Sequence, residues 1–347
     1  MTTARRPASR RRWTIASVVR GGVAAVASGV ILAAVGYVIL ARSGQFQLTR
    51  GDLRERYTDS ASRFVTVRDM EVHYKDEGAG PVILLMHGSF GSLGSWDGVV
   101  ERLKGKYRLI RPDQPPLALS GDLPASAKGL ALEDYVAALL DGLGIDHAVI
   151  VGTSSGGIIA YRFAAKYPGR TDALIVANAP SAVVDNSATG SPALLEALIW
   201  INTNVLKHQP RLYWKIFLES LFADPTRLTD AAIERYFDFG RRPRTSPAIP
   251  SMMSRVNDTG EIDQVLGRVR APTLLVWGVP DRVLPEPMAH QLKAKLTAAP
   301  VDLVILNGTG HYPPDESPDL VAAEIDRFLT ATLPQINGVK INGVRLD

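Results

Sequence analysis

From about Ser62 onward, apolar and polar positions fall into a regular succession of short strands and amphipathic helices. RFVTV and EVHYK, separated by Arg68-Asp69-Met70, show the period-two alternation and β-branched content of a β-hairpin. Then come VILLMH, YRLIRP, HAVIVG, DALIVAN, TLLVWG and DLVIL, each nearly continuous in apolar residues. Parallel strands buried on both faces read this way. Between them lie the helical patterns WDGVVERL, ALEDYVAALLDGLG, GIIAYRFAAKYP, MAHQLKAKL and PDLVAAEIDRFLTATL. The alternation predicts an α/β fold with a mostly parallel eight-stranded sheet and helices on both faces. Its ligand sites should lie beyond the carboxyl ends of the strands.

One interval breaks the rhythm. Between Asn178-Ala179-Pro180 and Thr273 no strand pattern occurs, but SPALLEALIWINTNVL, RLYWKIFLESLF and TDAAIERYFDF are helical. A structureless loop of that length does not fit a compact domain, so an inserted helical subdomain is expected. Its aromatic residues are Trp200, Tyr213, Trp214, Phe217, Phe222, Tyr236, Phe237 and Phe239. Most of these are expected to pack helices together, although such residues could also line a pocket.

Upstream, GGVAAVASGVILAAVGYVIL (Gly21 to Leu40) is 20 residues without a charge. That is about the length a helix needs to cross a bilayer core of roughly 30 Å. A buried helix or a cleaved signal peptide would use similar residues, but an apolar signal region usually spans about 7 to 15 residues. The flank ILARSG also lacks a clear small-x-small cleavage site. The expectation is an uncleaved single-pass anchor. Arg5, Arg6, Arg10, Arg11, Arg12 and Arg20 precede it, whereas only Arg42 and Arg50 follow closely. The positive-inside rule then places the N-terminus in the cytoplasm and the body outside. Ser9 to Trp13 (SRRRW) faintly resembles a twin-arginine export signal, which would deliver the body the same way.

The organisation expected is a basic cytoplasmic tail at 1–20, an anchor at 21–40 and a linker at 41–61. The core would occupy 62–180 and 266–333, the helical insertion 181–265 and a tail 334–347. That tail repeats INGVK as INGVR, and two copies are too few for a repeat architecture.

Charge changes the picture only by its location. The formal net charge of +4 suggests a nucleic-acid partner until the eight N-terminal arginines are set aside. Removing them from the 39 basic residues leaves 31 against 35 acidic residues, a formal −4 for the body. A basic face for nucleic acid is therefore not expected. Cysteine is absent, which excludes disulfides, thiolate metal sites and a cysteine nucleophile.

The candidate chemistry sits in VGTSSGG. Gly152-Thr153-Ser154-Ser155-Gly156 fits G-x-S-x-G between a strand and a helix, the context that gives this pattern meaning. The glycines allow Ser154 a strained backbone and let the helix pack close. Ser154 is the candidate nucleophile, and Ser155 follows it at the helix N-terminus, where its N–H could meet an oxyanion. A serine hydroxyl needs a base held by a third group. His311, in NGTGHYPP, stands after the strand VDLVIL, and Asp281, in TLLVWGVPD, after another. The chain order Ser154, Asp281, His311 suits a Ser-acid-His relay. Asp113 follows an earlier strand. His73, His147, His208 and His290 are expected to be structural or solvent-facing. In HGSF, Ser89 is the candidate second oxyanion donor, with Phe90 as the alternative register, and His87 should brace the loop.

These motifs, LLMHGS, GTSSGG, LLVWGVPDRVLP and GTGHYPPDESP, resemble the α/β-hydrolase superfamily from about Ser62 to Leu333. They are most similar to its capped branch of epoxide hydrolases, haloalkane dehalogenases, haloperoxidase-like esterases and carbon-carbon bond hydrolases. The resemblance implies an α/β-hydrolase fold whose insertion caps the active site. Epoxide hydrolases and dehalogenases of this branch carry an aspartate where Ser154 stands, so acyl transfer to water is the expected chemistry. The substrate would be a small ester-like molecule, with no metal or organic cofactor. Carbon-carbon hydrolysis of vinylogous diketones, or a non-catalytic membrane-tethered binding role, are the alternatives. One departure is local. Where the family often shows D-x-P-G-x-G-x-S, this chain has Asp113-Gln114-Pro115-Pro116-Leu117-Ala118-Leu119-Ser120, with Pro116 and Ala118 in place of both glycines.

Overall fold

The structure is a computed structural model that describes residues 15–127, 129–182, 193–243, 262–336, 340–341 and 344–345. The SRRRW stretch and the arginines before Ile15 lie outside the described residues, as do parts of the insertion and of the C-terminal tail. The described residues divide into two compact units: 15–46 with 200–208, and the remainder.

The larger unit is built on one sheet in the order β1-β2-β4-β3-β5-β6-β7-β8. The hairpin comprises β1 (Ser62–Val67) and β2 (Met70–Glu77). Its turn is only Arg68 and Asp69, both at positive φ (45° and 63°), and Met70 already belongs to β2. That is the turn shape whose twist suits a two-residue hairpin. The other strands are β3 (Val82–Met86), β4 (Arg108–Pro112), β5 (Ala148–Thr153), β6 (Thr171–Ala177), β7 (Thr273–Val279) and β8 (Val301–Asn307). From β4 across to β8 every pairing is parallel.

The continuous apolar runs follow from the two-sided burial. Leu84, Ile150, Leu174 and Leu275 face one core, and their neighbours Ile83, Val149, Ala173 and Leu274 face the other. The first core is closed by α4 (Leu132–Gly142), α5 (Ser155–Lys166), α9 (Ile262–Leu266) and α10 (Pro287–Lys295). The second is closed by α3 (Asp97–Leu103) and α12 (Pro318–Ile336).

Between β6 and β7 the described residues hold α6 (Ala193–Ile201), α7 (Arg211–Leu221) and α8 (Asp230–Gly240). A π-helical turn, Asn202–Leu206, follows α6. Trp214, Leu218, Ile233 and Tyr236 form a small core with Tyr213, Phe217 and Phe237 packed on it, the packing role expected for these aromatics. Trp200 is the exception, being 62% exposed.

The stretch read as linker, 41–61, contains a helix, α2 (Arg50–Tyr57). Its N-terminus is closed by a reciprocal cap in which Thr49 and Asp52 bond each other's backbone N–H groups. Leu53 is fully buried and Arg54 lies 4.2 Å over the Phe64 ring. One buried leucine in eight residues is too weak an apolar pattern to announce the element. The INGVK/INGVR repeat places two short strands, Lys340–Ile341 and Val344–Arg345, antiparallel to each other.

In the smaller unit, α1 (Ile15–Arg42) contains a 21-residue stretch, Gly22–Arg42, long and apolar enough to cross a membrane and with none of its apolar window buried.

Candidate active site

The turn from β5 into α5 carries Ser154 at φ 51°, ψ −124°, a conformation that L side chains rarely adopt. Such a backbone costs on the order of 1–3 kcal/mol and persists only where its surroundings impose it. Here the flanking glycines do so. A Cβ on Gly152 would collide with the carbonyl of Gly156, and one on Gly156 would collide with the carbonyls of Met86 and His87. The Ser154 N–H is tied to Ala177 O at 3.0 Å, so the hydroxyl stands at the carboxyl edge of the sheet.

Ser154, Asp281 and His311, separated in sequence, meet in one hydrogen-bonded line. Ser154 Oγ lies 3.0 Å from His311 Nε2, and His311 Nδ1 lies 2.7 Å from Asp281 Oδ2. Both His311 and Asp281 are buried. Asp281 Oδ1 accepts the N–H groups of Val283 (2.7 Å) and Leu284 (2.9 Å). Asn178, fully buried, donates its amide to Asp281 Oδ2 at 2.7 Å. Burial alone would push the Asp281 carboxyl up. The adjacent imidazole of His311 and these hydrogen bonds outweigh it and hold the carboxyl below its ordinary range. An ionised Asp281 fixes Nδ1 as the protonated nitrogen and leaves Nε2 free to accept the serine proton.

The His311 loop is itself held. Buried Glu316 accepts Gly310 N–H (2.6 Å) and Ala223 N–H (3.1 Å) on one oxygen and Asp224 N–H (2.8 Å) on the other. His311 N–H donates to Leu221 O at 2.7 Å. The segment after α7 is thereby tied to the loop that carries His311.

Opposite Ser154 lies the loop 87–91. His87 is fully buried, and its Nε2 accepts the N–H of Gln114 at 2.9 Å, so Nδ1 carries the hydrogen and donates to Gly88 O at 2.8 Å. Burial, only partly offset by nearby Asp113, holds the His87 pKa below the ordinary imidazole range, which keeps the ring neutral. The bracing role read from the sequence is thus a pair of backbone hydrogen bonds. Tyr312 O–H donates to Ser89 O at 3.0 Å, and Ser89 Oγ donates to Ser155 Oγ at 3.0 Å. The N–H groups of Ser89 and Ser155 meet no acceptor among the described residues. Phe90, at φ 62°, turns its ring towards Trp214 and Phe217.

The remaining histidines fall elsewhere. His147 is exposed beside Asp172, His290 is exposed beside Glu286, and the His208 ring lies tilted 5.1 Å from that of Phe46. His73 is the buried one among them. Its Nδ1 is 2.8 Å from Asp113 Oδ2, and each side chain is 1% exposed. The same carboxylate accepts the N–H groups of Leu93 and Leu119. This buried pair organises the loop that departs from the family pattern. Ala118 takes the positive φ (48°) that a glycine would favour. Arg242 reaches in to donate to the carbonyls of Pro116 (3.0 Å), Ala118 (3.0 Å) and Ser120 (2.5 Å).

A cleft beside the Ser89–Phe90 loop is lined by Phe90, Leu117, Trp214, Phe239 and Arg242. Ser154 is not among its lining residues. Among the described residues no group of three or more His, Asp or Glu is arranged to hold a metal ion.

Residues 82–324 match the profile described as the alpha/beta hydrolase family. The chain is 27% identical over 281 residues to an uncharacterized protein of Mycobacterium tuberculosis, covering 78% of this chain and 82% of that one. It is 27% identical over 280 residues to the 2-hydroxy-6-oxo-6-phenylhexa-2,4-dienoate hydrolase of Burkholderia cepacia, covering 77% and 96%. Among solved structures it is similar to a meta-cleavage product hydrolase of Pseudomonas fluorescens IP01, with a TM-score of 0.61, 20% identity and coverage of 78% and 97%. It is also similar to a bacterial membrane phospholipase A, with a TM-score of 0.61, 21% identity and coverage of 92% and 99%. At these identities the two structures speak to fold alone.

Proposed function

The chain belongs to the alpha/beta hydrolase family, and from that premise we propose that it is a serine hydrolase cleaving a carboxylic ester through an acyl-enzyme. The observation that carries this reading is the Ser154–His311–Asp281 line at the strained β5–α5 turn. Ser154 Oγ attacks the ester carbonyl while His311 Nε2 takes its proton, and Asp281 stabilises the imidazolium. The carbonyl oxygen becomes an anion bound by the N–H groups of Ser155 and Ser89. His311 returns the proton to the departing alcohol. Water, deprotonated by His311, then attacks the acyl-enzyme and frees the acid and Ser154.

Ser89 is favoured over Phe90 as the loop donor. The Gly88 carbonyl is held by His87 Nδ1–H and by Gly91 N–H (3.2 Å), so the Ser89 N–H on the same trans peptide points the opposite way.

The second reading is carbon-carbon hydrolysis, favoured by the names of relatives such as the Burkholderia cepacia dienoate hydrolase. Such a substrate carries a carboxylate. Among the described residues Arg242 is the cation lining the cleft, and it is already engaged by three carbonyls and by Asp122 at 2.7 Å. Among the described residues this cleft therefore offers no unengaged cation to a substrate carboxylate, which supports the ester reading.

We also propose that α1 is a bilayer anchor with its N-terminus in the cytoplasm and the hydrolase body outside. The uncharged apolar stretch and the excess of arginines before it support this reading.

The test is labelling with a serine-directed fluorophosphonate followed by mass spectrometry. Modification of Ser154, with parallel loss of short-chain ester turnover, is expected. Turnover that survives in Ser154→Ala would overturn the assignment. Turnover of a dienoate with negligible esterase activity would select the second reading.

A further inference from the structure

The smaller unit joins α1 to a segment far away in sequence, Trp200–His208. Arg42, the last residue of α1, donates from Nε to Val205 O (2.8 Å) and from Nη2 to Asn204 O (3.2 Å). Asn204 in turn donates its side-chain amide to Trp200 O at 2.9 Å. One helical turn higher, Tyr37, Phe46 and His208 form an aromatic trio, with ring centroids 5.2 Å apart for Tyr37–Phe46 and 5.1 Å for Phe46–His208. The segment is therefore fastened along the last turn and a half of the apolar helix.

What it exposes is unusual for a water-facing turn. Trp200 is 62% exposed and Ile201 38%, and on α1 Ile39 (61%) and Leu40 (44%) are exposed as well. Arg42 and the exposed Lys207 supply cations at the same end. Tryptophan and tyrosine, apolar side chains and flanking Lys or Arg are the composition of the boundary between headgroups and acyl chains.

We infer that Trp200–His208 is a second membrane contact, an interfacial seat in which Trp200 and Ile201 enter the headgroup boundary while Arg42 and Lys207 meet lipid phosphates. The inference rests on the reading of α1 as a bilayer anchor. Two features single out a lipid surface over a protein partner: the segment is fixed to the end of a helix whose apolar window is not buried, and its charges are cationic. The occupant is a bilayer containing anionic phospholipid.

The chain has no cysteine, so single-site labelling needs no other change. Full-length Trp200→Cys, Leu32→Cys and Leu320→Cys would each carry an environment-sensitive fluorophore. Each would be reconstituted in phosphatidylcholine–phosphatidylglycerol vesicles, with or without lipids bearing a nitroxide quencher near the headgroup or deep in the acyl chain. Leu32 is 72% exposed in the middle of α1, and Leu320 is 48% exposed on α12. Quenching of about twofold or more is expected at position 200 with the shallow nitroxide and at position 32 with the deep one, and none at 320, as an interfacial segment beside a spanning helix requires. If position 200 matches position 320 while position 32 is quenched, the seat is wrong and the anchor stands. If position 32 is also unquenched, the anchor reading fails and the seat fails with it.

Discussion

The side-chain amide of Asn178 donates to the same oxygen of Asp281, Oδ2, that faces His311 Nδ1, each at 2.7 Å. Asn178 also accepts the Gly278 N–H at 2.8 Å, so it joins the end of β6 to β7 and aims the carboxylate at once. Asn178→Ala is expected to slow ester turnover and to leave the ester KM nearly unchanged. A hydrogen bond to a charged group is worth about 1.5–3 kcal/mol. Felt wholly in the transition state, that is roughly 10- to 100-fold in kcat. An unchanged kcat would mean that Val283, Leu284 and His311 hold Asp281 unaided.

Asp315 answers to a different balance. It sits in the short helix α11 (Pro313–Glu316), three residues after Tyr312, and Arg235 of α8 donates to it at 3.3 Å. Burial dominates that favourable charge and pushes the Asp315 carboxyl up to about 6. The folded protein therefore holds this proton more tightly than the unfolded chain, whose carboxyl titrates near 4. The stability that this group contributes is fully present below about pH 4 and is lost, by on the order of 3 kcal/mol, as pH rises from about 4 to about 6. Asp315→Asn should flatten that part of the profile. Thermal midpoints of the two proteins across pH 4 to 7 decide it; parallel curves would rule the shift out.

The helix α5 can approach the loop 87–91 only because position 156 lacks a side chain. The atoms a Cβ would meet are backbone carbonyls of Met86 and His87, which have no rotamer to yield. Gly156→Ala is expected to destabilise by about 1–3 kcal/mol or more, and to displace the Ser155 N–H enough to lower phosphonate labelling. Gly169→Ala is the control, because a Cβ there meets nothing within 4 Å. Equal denaturation midpoints for the two variants would contradict the packing argument.

These residues also mark how far the sequence could be read. Ser154, Asp281 and His311 were legible because each follows a continuous apolar strand, at the edge where sheet ligands gather. His87 was legible as a brace because it ends such a strand before a glycine. Asn178 and Glu316 carried no comparable sign. They are ordinary polar residues whose partners lie 103 residues away for Asp281 and 92 for Asp224, and only folding reveals that their donors and acceptors match. The loop from Asp113 to Ser120 shows the limit in a specific way. Ala118 stands where the family often has glycine, yet it occupies the left-handed region, and the buried His73–Asp113 pair and Arg242 hold the loop there.

Tyr312 supplies the last test, because it pins the oxyanion loop without a place in the proton relay. Its hydroxyl, kept protonated by burial, donates to Ser89 O at 3.0 Å. The Gly88 carbonyl on the other side of Ser89 is held by His87 and Gly91. Both peptide planes flanking Ser89 are thus fixed, and with them the direction of its N–H. Tyr312→Phe keeps the ring that packs beside Leu221 and Phe222 and removes only the donor. The loss of one neutral hydrogen bond, about 1 kcal/mol, should lower kcat by roughly fivefold. The ester KM should barely move, since the ground-state carbonyl needs the N–H less than the anion does. Phosphonate labelling also builds negative charge on oxygen, so its rate should fall by the same factor as kcat. A raised KM with unchanged kcat would instead mean that the hydroxyl touches substrate. If neither parameter moves, His87 and Gly91 suffice to aim the Ser89 N–H.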